Sequence, residues 1–227
     1  MPDAEDGVLF DVDGTLVDTT YLHAVCWGEA LLAEGHVVPM VEIHHAIGMG
    51  SDEILDHLLG SDRDTDADDK LTGGHLALYR QHWGNLRPLP GAADLVRACA
   101  ERGLQVVLAS SASSDELDAL RAALDADDAI DVATSSSDAD AGKPRPDILH
   151  AALDESGLSA DRVVFVGDSV WDGAAAAKAG VTFLAVTCGG TTAPELRDAG
   201  AVEVWRDPAE LLGRIDESVV GSRGRRR

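Results

Sequence analysis

Short apolar runs alternate with longer stretches of helical periodicity over most of this chain. Continuous apolar runs are typical of strands that are buried on both faces of a parallel sheet. Strands that alternate with helices predict an α/β fold with a doubly wound, Rossmann-like parallel sheet. The predicted strands cover residues 7–11, 104–109, 129–133, 163–166, 181–186 and 201–204.

The stretch between the first two strands has a different pattern. It shows helical spacing over 18–35, 39–47, 51–59 and 71–83 and no strand signal. Pro88-Leu89-Pro90-Gly91 is a cluster of helix and strand breakers that marks the return to alternation. We therefore predict an all-helical cap domain over residues 19–87, inserted into a core domain of residues 1–18 and 88–227. Further helices are predicted at 92–102, 114–124, 146–156, 173–179, 194–199 and 208–215.

Net charge narrows the range of partners. The 41 acidic residues outnumber the 18 basic ones, which gives a formal charge of −23. A surface this acidic repels phosphate backbones, so we expect no nucleic-acid partner. Salt adaptation and a general compositional bias both explain the acidity. The basic, low-complexity tail from about 217 to 227 is predicted to be disordered.

Cysteine usage and hydropathy bear on location. Cys26, Cys99 and Cys188 are widely separated and odd in number, which predicts reduced thiols in a cytoplasmic protein. No apolar run approaches the ~18 residues of a membrane span, and the acidic N-terminus is unlike a secretory signal. We expect no membrane association, and a monomer or weak homodimer.

Polar residues follow several of the predicted strands directly. Asp11 and Asp13 follow the first strand, and Ser110 and Ser111 follow the second. Lys143 lies in a Gly-Lys-Pro loop after the third strand. Because parallel strands place their carboxyl ends at one edge, these groups should meet in one crevice, together with Asp168 and Asp172 after the fourth strand. Ordinary turn or surface roles are the alternative for each residue taken alone.

The grouped carboxylates suggest a mechanism. They repel one another and need a cation, and oxygen donors without clustered His or paired Cys favour Mg²⁺. Lysine and serine would then bind phosphate oxygens. One carboxylate can act as the nucleophile in phosphoryl transfer, and a second can act as general acid and base.

Four motifs resemble those of the haloacid dehalogenase superfamily. They are Asp11-Val-Asp13-Gly-Thr15, Ser110 after a strand, Lys143-Pro, and Gly-Asp168-Ser-x-x-Asp172. The resemblance implies that Asp11 is the nucleophile, that Asp13 is the acid and base, and that Ser110 and Lys143 bind phosphate. It also implies a Mg²⁺ site formed by Asp11, Asp168 and the backbone carbonyl of Asp13, with Asp172 orienting these ligands.

The predicted cap is similar to that of the phosphoglycolate phosphatase and β-phosphoglucomutase branch. Asp18-Thr-Thr-x-x-His23 resembles the branch's stretch after the first motif, and Gly48-Met49-Gly50 resembles its substrate-facing loop. His23 is thus a candidate for substrate binding or a hinge, with a helix-surface histidine as the alternative. The candidate substrate-binding residues are Thr15, His23, Gly48, Met49, Ser110, Ser111 and Lys143.

Differences within the superfamily narrow the function. Dehalogenases lack a carboxylate at the position of Asp13. Phosphonate hydrolases of the superfamily use a cap lysine as a Schiff base, but the cap's sole lysine here, Lys70, lies in an acidic linker that does not suit this role. Mutases carry an arginine after the cap-loop glycine, where this chain has Ser51. We therefore expect an enzyme that hydrolyses a small phosphate monoester of the phosphoglycolate or sugar-phosphate type. A sugar-phosphate mutase and a non-catalytic phosphate-binding module are the alternatives.

Several other polar or aromatic residues are interpreted as structural. Met49 could instead pack in the cap, like Trp27, Tyr79 and Trp83. Residues 62–69 lack the spacing of a calcium-binding loop and read as a solvated linker. Three histidines are assigned to the cap surface, namely His44, His45 and His57.

Overall fold

The computed structural model describes residues 6–63 and 65–223. The strands of the sheet are β1 (Gly7–Phe10), β2 (Gln105–Ala109), β3 (Val132–Thr134), β4 (Val163–Gly167), β5 (Thr182–Val186) and β6 (Glu203–Trp205). The first four helices, which follow β1 in the chain and are named the cap helices, are α1 (Thr20–Ala33), α2 (Met40–Ala46), α3 (Ser51–Leu59) and α4 (Asp68–Tyr79). The remaining helices are α5 (Ala92–Glu101), α6 (Ser114–Leu124), α7 (Asp147–Ser156), α8 (Val170–Ala179), α9 (Ala193–Asp198), α10 (Pro208–Gly213) and α11 (Val219–Arg223).

The sheet has the order β3-β2-β1-β4-β5-β6, and every neighbouring pair is parallel. This confirms the predicted doubly wound α/β core. β1 lies in the middle, with Leu9 in register with Val107 of β2 and Phe165 of β4. The chain order reverses at β1, and the crevice at such a reversal is where open α/β sheets bind ligands.

Apolar layers cover both faces of the sheet. Alternate residues of β1 point to opposite faces, so Val8 and Phe10 join one core cluster and Leu9 joins the other. The first cluster includes Leu95 of α5, and the second includes Leu149 of α7. This double burial explains why the strands are continuous apolar runs rather than alternating ones.

The helices between β1 and α5 have an apolar cluster of their own. Trp27, Leu31, Ile43, Ile54 and Leu71 are buried within it, so the four cap helices pack mainly on one another. At the predicted acidic linker, the guanidinium of Arg63 binds the carboxylates of Asp56 and Asp68. No helix among the described residues is long and apolar enough to span a membrane.

The predicted disorder of the C-terminal tail is wrong for residues 219–223, which form α11. Val220 is 1% exposed, and the backbone amide of Val219 donates to Oε1 of Glu203. The guanidinium of Arg223 donates to the carbonyl oxygen of Asp161. Burial of the two valines thus stabilises this helix although the segment is of low complexity. Residues 224–227 lie outside the described residues.

Candidate active site

The turn after β1 carries the first two candidate carboxylates. The backbone amide of Asp11 still donates to the carbonyl oxygen of Val166, at 2.9 Å, so Asp11 continues the sheet toward β4. Gly14 then has a φ of 74°, and a Cβ there would lie 2.7 Å from Oδ2 of Asp168. A side chain at this position would be strained and would displace Asp168. The glycine therefore lets the β1 turn approach the acidic residue that follows β4.

Lys143 joins two of the carboxylates. Its Nζ donates to Oδ1 of Asp11 at 2.7 Å and to Oδ1 of Asp172 at 2.8 Å. The lysine is 1% exposed and both carboxylates are buried. An ammonium held this way has a fixed position at the centre of the site.

Asp172 is held on both of its oxygens. Oδ1 accepts from Lys143, while Oδ2 accepts from the backbone amides of Asp168 and Ser169 and from the hydroxyl of Ser169. Ser169 in turn caps α8 by accepting from the amide of Asp172, so α8 begins at Val170 and not at the predicted residue 173. Asp172 therefore positions the lysine and the loop of Asp168.

The hydroxyl of Thr15 donates to Oδ1 of Asp168 at 2.9 Å. Thr15 is 1% exposed and is absent from the described residues that line the adjoining cavity. The structure thus places this predicted substrate-binding residue on a carboxylate, where it orients Asp168.

Asp11, Asp168 and Asp172 form a buried acidic cluster. Each offers a carboxylate oxygen within 4.8 Å of the others. Burial and the neighbouring carboxylates raise the pKa of Asp11 to about 7, against the opposing effect of Lys143, and raise the pKa of Asp168 well above its usual range. In their ionised forms the three buried acids outnumber the one ammonium, and an oxygen-only donor set suits a hard divalent cation. The cluster could therefore hold such a metal ion.

Asp13 lies outside that cluster, although it lines the same cavity as Asp11. Its Oδ1 accepts from the hydroxyl of Thr19 at 2.7 Å and lies 3.2 Å from Nε2 of His23. Burial alone would raise the pKa of Asp13, but these hydrogen bonds and the charge of His23 lower it. Conversely, burial would lower the pKa of His23, whereas Asp13 and Glu116 raise it. The pair is consistent with a carboxylate beside an imidazolium.

His23 also anchors a stack of aromatic rings. Its Nδ1 lies 3.1 Å from Nε2 of His75, and its ring centroid lies 4.0 Å from that of Tyr79. Trp27 stacks on His75 at 4.3 Å. Burial and the nearby His23 lower the pKa of His75 well below its usual range, so Nε2 of the neutral ring can accept a hydrogen bond from Nδ1 of His23. The surface alternative for His23 is therefore wrong, since His23 is 8% exposed.

Glu116 and His75 also belong to the site, although the sequence does not predict a site role for either residue. Oε2 of Glu116 accepts from the amide of Ser113, which caps α6, and Oε1 lies 3.6 Å from Nε2 of His23. Burial raises the pKa of Glu116 to about 7, with His23 opposing the shift. The Ser113-x-x-Glu116 pattern is a recognisable helix start, but it does not show what else the carboxylate faces.

A cavity lies between these residues and the cap, with a volume of about 530 Å³ including its open mouth. Of the predicted residues, seven line it, namely Asp11, Asp13, His23, Gly48, Met49, Ser111 and Lys143. Newly recognised lining residues include Trp27, Ile47, Ile54, His75 and Glu116.

The two candidate serines after β2 occupy different places. Ser110 is fully buried, and its Oγ accepts from the amide of Ala112 at 3.0 Å. Ser111 lines the cavity, and its Oγ is buried without a protein partner. The structure thus brings Ser111 to the cavity and sets Ser110 behind it.

The cap loop of residues 47–50 lies between two core loops. The amide of Gly50 donates to the carbonyl oxygen of Lys143 at 3.1 Å. On the other side, a Cβ at Gly48 would lie 2.8 Å from Oγ of Ser169. Trp171 Nε1 donates to the carbonyl oxygen of His45 at 2.8 Å. The cap is therefore in direct contact with the loops that carry Lys143 and Asp168.

Comparisons with known proteins agree with this architecture. A family model described as haloacid dehalogenase-like hydrolase matches residues 5–180. The phosphoglycolate phosphatase of Rhodospirillum rubrum is 32% identical over 222 residues, which cover 93% of this chain and 90% of that protein.

Solved structures are similar over nearly the whole chain. A hydrolase from Pseudomonas syringae has a TM-score of 0.88 and 32% identity, with 94% of this chain and 98% of that chain covered. CbbY from Rhodobacter sphaeroides, in complex with xylulose-(1,5)bisphosphate, has a TM-score of 0.76 and 25% identity, with 91% and 96% covered.

The chain belongs to the haloacid dehalogenase-like hydrolase family. Within it, the relatives identify the protein as an enzyme of the phosphatase class. This confirms the predicted family and the predicted class of enzyme.

Proposed function

We propose that the protein is a Mg²⁺-dependent phosphatase that hydrolyses a small phosphate monoester through an aspartyl-phosphate on Asp11. The observation that carries the proposal is the buried group of Asp11, Lys143, Asp168 and Asp172, of which Asp11 and Lys143 line a small cavity. Names of relatives support two substrate types: phosphoglycolate, and sugar phosphates of the kind bound by CbbY.

Asp11 and Asp168 would hold the metal ion, with the backbone carbonyl of Asp13, while Asp172 orients them. The carboxylates fit this role because they are buried, close together and faced by a single ammonium. When bound, Mg²⁺ supplies positive charge that keeps the carboxylates ionised and stabilises the negative charge of a phosphate group.

In the first half of the reaction, a carboxylate oxygen of Asp11 forms a bond to phosphorus and the bond from phosphorus to the ester oxygen breaks. Lys143 stabilises the charge on the phosphoryl oxygens, and Ser111, whose hydroxyl has no protein partner, offers them a hydrogen bond. Asp13 gives its proton to the leaving alkoxide. A phosphate dianion beside Asp13 raises its pKa, which favours the protonated form needed here.

In the second half, Asp13 removes a proton from water, and the water oxygen attacks phosphorus. The bond between phosphorus and Asp11 breaks, which releases inorganic phosphate and restores Asp11 as a carboxylate and Asp13 as the protonated acid. Thr19 and His23 hold Asp13 in place for both steps and stabilise its ionised form. A cap that covers the site excludes bulk water and favours small substrates.

Release of inorganic phosphate from a panel of small phosphate esters tests the proposal. We expect release with Mg²⁺, none with EDTA, and recovery when Mg²⁺ is restored in excess. Asp11→Asn should abolish release while keeping the fold, whereas Asp18→Asn, which removes the same charge at an exposed position nearby, should not. Release that persists in EDTA, or in Asp11→Asn, would overturn the mechanism; transfer within a sugar phosphate without net release would indicate a mutase.

Cytoplasmic location and oligomeric state remain predictions. The described cysteines Cys26, Cys99 and Cys188 are free thiols, which agrees with a reducing compartment.

A further inference from the structure

The cavity has two walls of different chemistry. The core wall carries the carboxylates and the lysine, while the cap wall combines apolar side chains with two histidines. Ionisable groups of the core wall are Asp11, Asp13, Glu116 and Lys143, and the cap wall includes Trp27, Ile47, Met49 and Ile54 together with His23 and His75. A phosphate group belongs at the core wall, beside Lys143. The organic part of the ester must therefore lie between the cap wall and the side of the core wall that carries Glu116.

Glu116 is fixed in that position. One oxygen is used by the Ser113 amide, at 3.3 Å, and the other lies 3.6 Å from His23. The residue is 7% exposed, so its carboxylate cannot swing out into solvent. Any group on the substrate that reaches this part of the cavity meets an acid that is held in place.

The cations of the cavity are already paired. Lys143 lies between Asp11 and Asp172, and Nε2 of His23 lies between Asp13 and Glu116. Among the described residues that line the cavity, Lys143 is the only lysine and arginine is absent. A second anion on the substrate would thus face carboxylates and apolar side chains without a cation to balance it. Like charges brought together in this way strongly disfavour binding.

We propose that the site is selective for monophosphate esters whose alcohol carries no second anionic group, with Glu116 as the residue that discriminates against a carboxylate or a second phosphate in the leaving group. The inference rests on the proposed phosphatase activity and narrows its substrate class. It selects esters of neutral polyols and simple alcohols over phosphoglycolate and sugar bisphosphates.

Two two-carbon esters that differ in charge test this selectivity: 2-hydroxyethyl phosphate and 2-phosphoglycolate. We expect kcat/KM for the neutral ester to exceed that for the anionic ester by at least about tenfold. Glycerol 3-phosphate and 3-phosphoglycerate provide a second pair, with the same expected order. Equal or better use of the anionic esters by the wild-type enzyme would overturn the inference and leave the phosphatase proposal standing.

Glu116→Gln separates charge from shape. The amide oxygen can still accept from Ser113, but the negative charge is gone. At pH 8.5, above the pKa of about 7 of Glu116, we expect the ratio of kcat/KM for 2-phosphoglycolate to that for 2-hydroxyethyl phosphate to rise about tenfold. The matched control is Asp115→Asn, which removes a charge from the neighbouring, exposed residue of α6 and should leave the ratio unchanged.

An unchanged ratio in Glu116→Gln would contradict the assigned role of Glu116. An equal rise in Asp115→Asn would show that only the overall charge matters, which also contradicts it. Absence of Mg²⁺-dependent phosphate release from the whole ester panel would overturn the proposed function, and this inference with it.

Discussion

Gly50 of the cap and Gly142 of the core are in backbone contact. A Cβ at Gly50 would lie 2.7 Å from the Cα of Gly142, and the amide of Gly50 donates to the carbonyl oxygen of Lys143, the next residue. No side chain fits between the two loops. The position of the cap is thus tied to the loop that carries the central lysine.

Gly50→Ala should separate these loops. Neither glycine has a positive φ, so the cost is steric and falls on the contact itself. Displacement of a substrate-facing loop by about 1 Å can reduce activity ~10²-fold, and we expect a loss of kcat/KM of that order with little change in thermal stability. Steady-state kinetics and thermal unfolding check this.

Gly73→Ala is the control for that substitution. Gly73 lies in cap helix α4, and a Cβ there would meet nothing within 4 Å. Activity should be unchanged, and stability should rise by about 0.5–1 kcal/mol because alanine favours a helix. Equal activity in both variants would show that contact between Gly50 and Gly142 is unimportant.

Lys143 should be essential for stability as well as for activity. Lys143→Met leaves Asp11 and Asp172 buried without their ammonium partner, and breaking a buried pair in this way costs about 3–5 kcal/mol. We expect that loss of unfolding free energy in EDTA at pH 8, measured by urea denaturation. Asp11 has a pKa raised to about 7, so protonation at pH 5 should make the loss smaller.

Lys178→Met is the matched control, since Lys178 is exposed and its ammonium donates to the carbonyl oxygen of Pro144 rather than to a carboxylate. Its unfolding free energy should change by less than about 1 kcal/mol. A similar loss in both variants would mean that net charge, and not the buried contact, determines the effect.

Thr15 distinguishes metal binding from substrate binding. Thr15→Val removes the hydrogen bond to Asp168 without changing the size of the side chain. Removing such a bond to a metal ligand lowers metal affinity ~10–100-fold. We therefore expect the Mg²⁺ concentration for half-maximal activity to rise at least about tenfold, with substrate KM unchanged at saturating Mg²⁺. A rise in substrate KM alone would instead support the role predicted from the sequence.

His75 should make stability depend on pH. Because its pKa is lowered in the folded protein, the unfolded chain binds the proton first as pH falls below 6.5. Stability is thus lost on acidification, with a slope of up to about 1.4 kcal/mol per pH unit from this group. His75→Phe keeps an aromatic ring against Trp27 and removes the titrating group. The free energy of unfolding of this variant, relative to that of the wild type, should therefore increase as the pH is lowered from 6.5 to 5.

Urea denaturation across that pH range measures the difference. His150→Phe, at an exposed position of α7, is the control and should show no such trend. If the difference in unfolding free energy between His75→Phe and the wild type is the same at both pH values, His75 does not titrate as the structure indicates.

Much of the fold followed from local pattern. The strands on either side of the sheet centre are apolar because both faces are covered, and the polar residues that end them mark one edge. Helix ends follow less directly from the pattern. The alanine run predicts a helix that begins at residue 173, whereas the Ser169 cap makes α8 begin at Val170. The prediction of a disordered tail is wrong because Val219 and Val220 pack against the rest of the core domain, and such tertiary contacts are not visible in the composition.

The site was only partly predictable. Asp11, Lys143 and Asp168 lie in compact motifs, and the structure brings all three together. Glu116 and His75 have no motif of their own, since their positions in the cavity depend on how the cap helices pack over α6. Such contacts between distant segments are set by tertiary packing and not by local sequence.

The most direct test of the central claim is chemical trapping of the phosphorylated enzyme. Borohydride reduces an acyl phosphate to an alcohol, so a quenched turnover mixture should contain homoserine at position 11, detectable by peptide mass spectrometry. We expect this modification only when Mg²⁺ and substrate are both present, and never in Asp11→Asn. Sustained phosphate release with Asp11 unmodified, or with the modification at a different carboxylate, would contradict the assignment of Asp11 as the nucleophile.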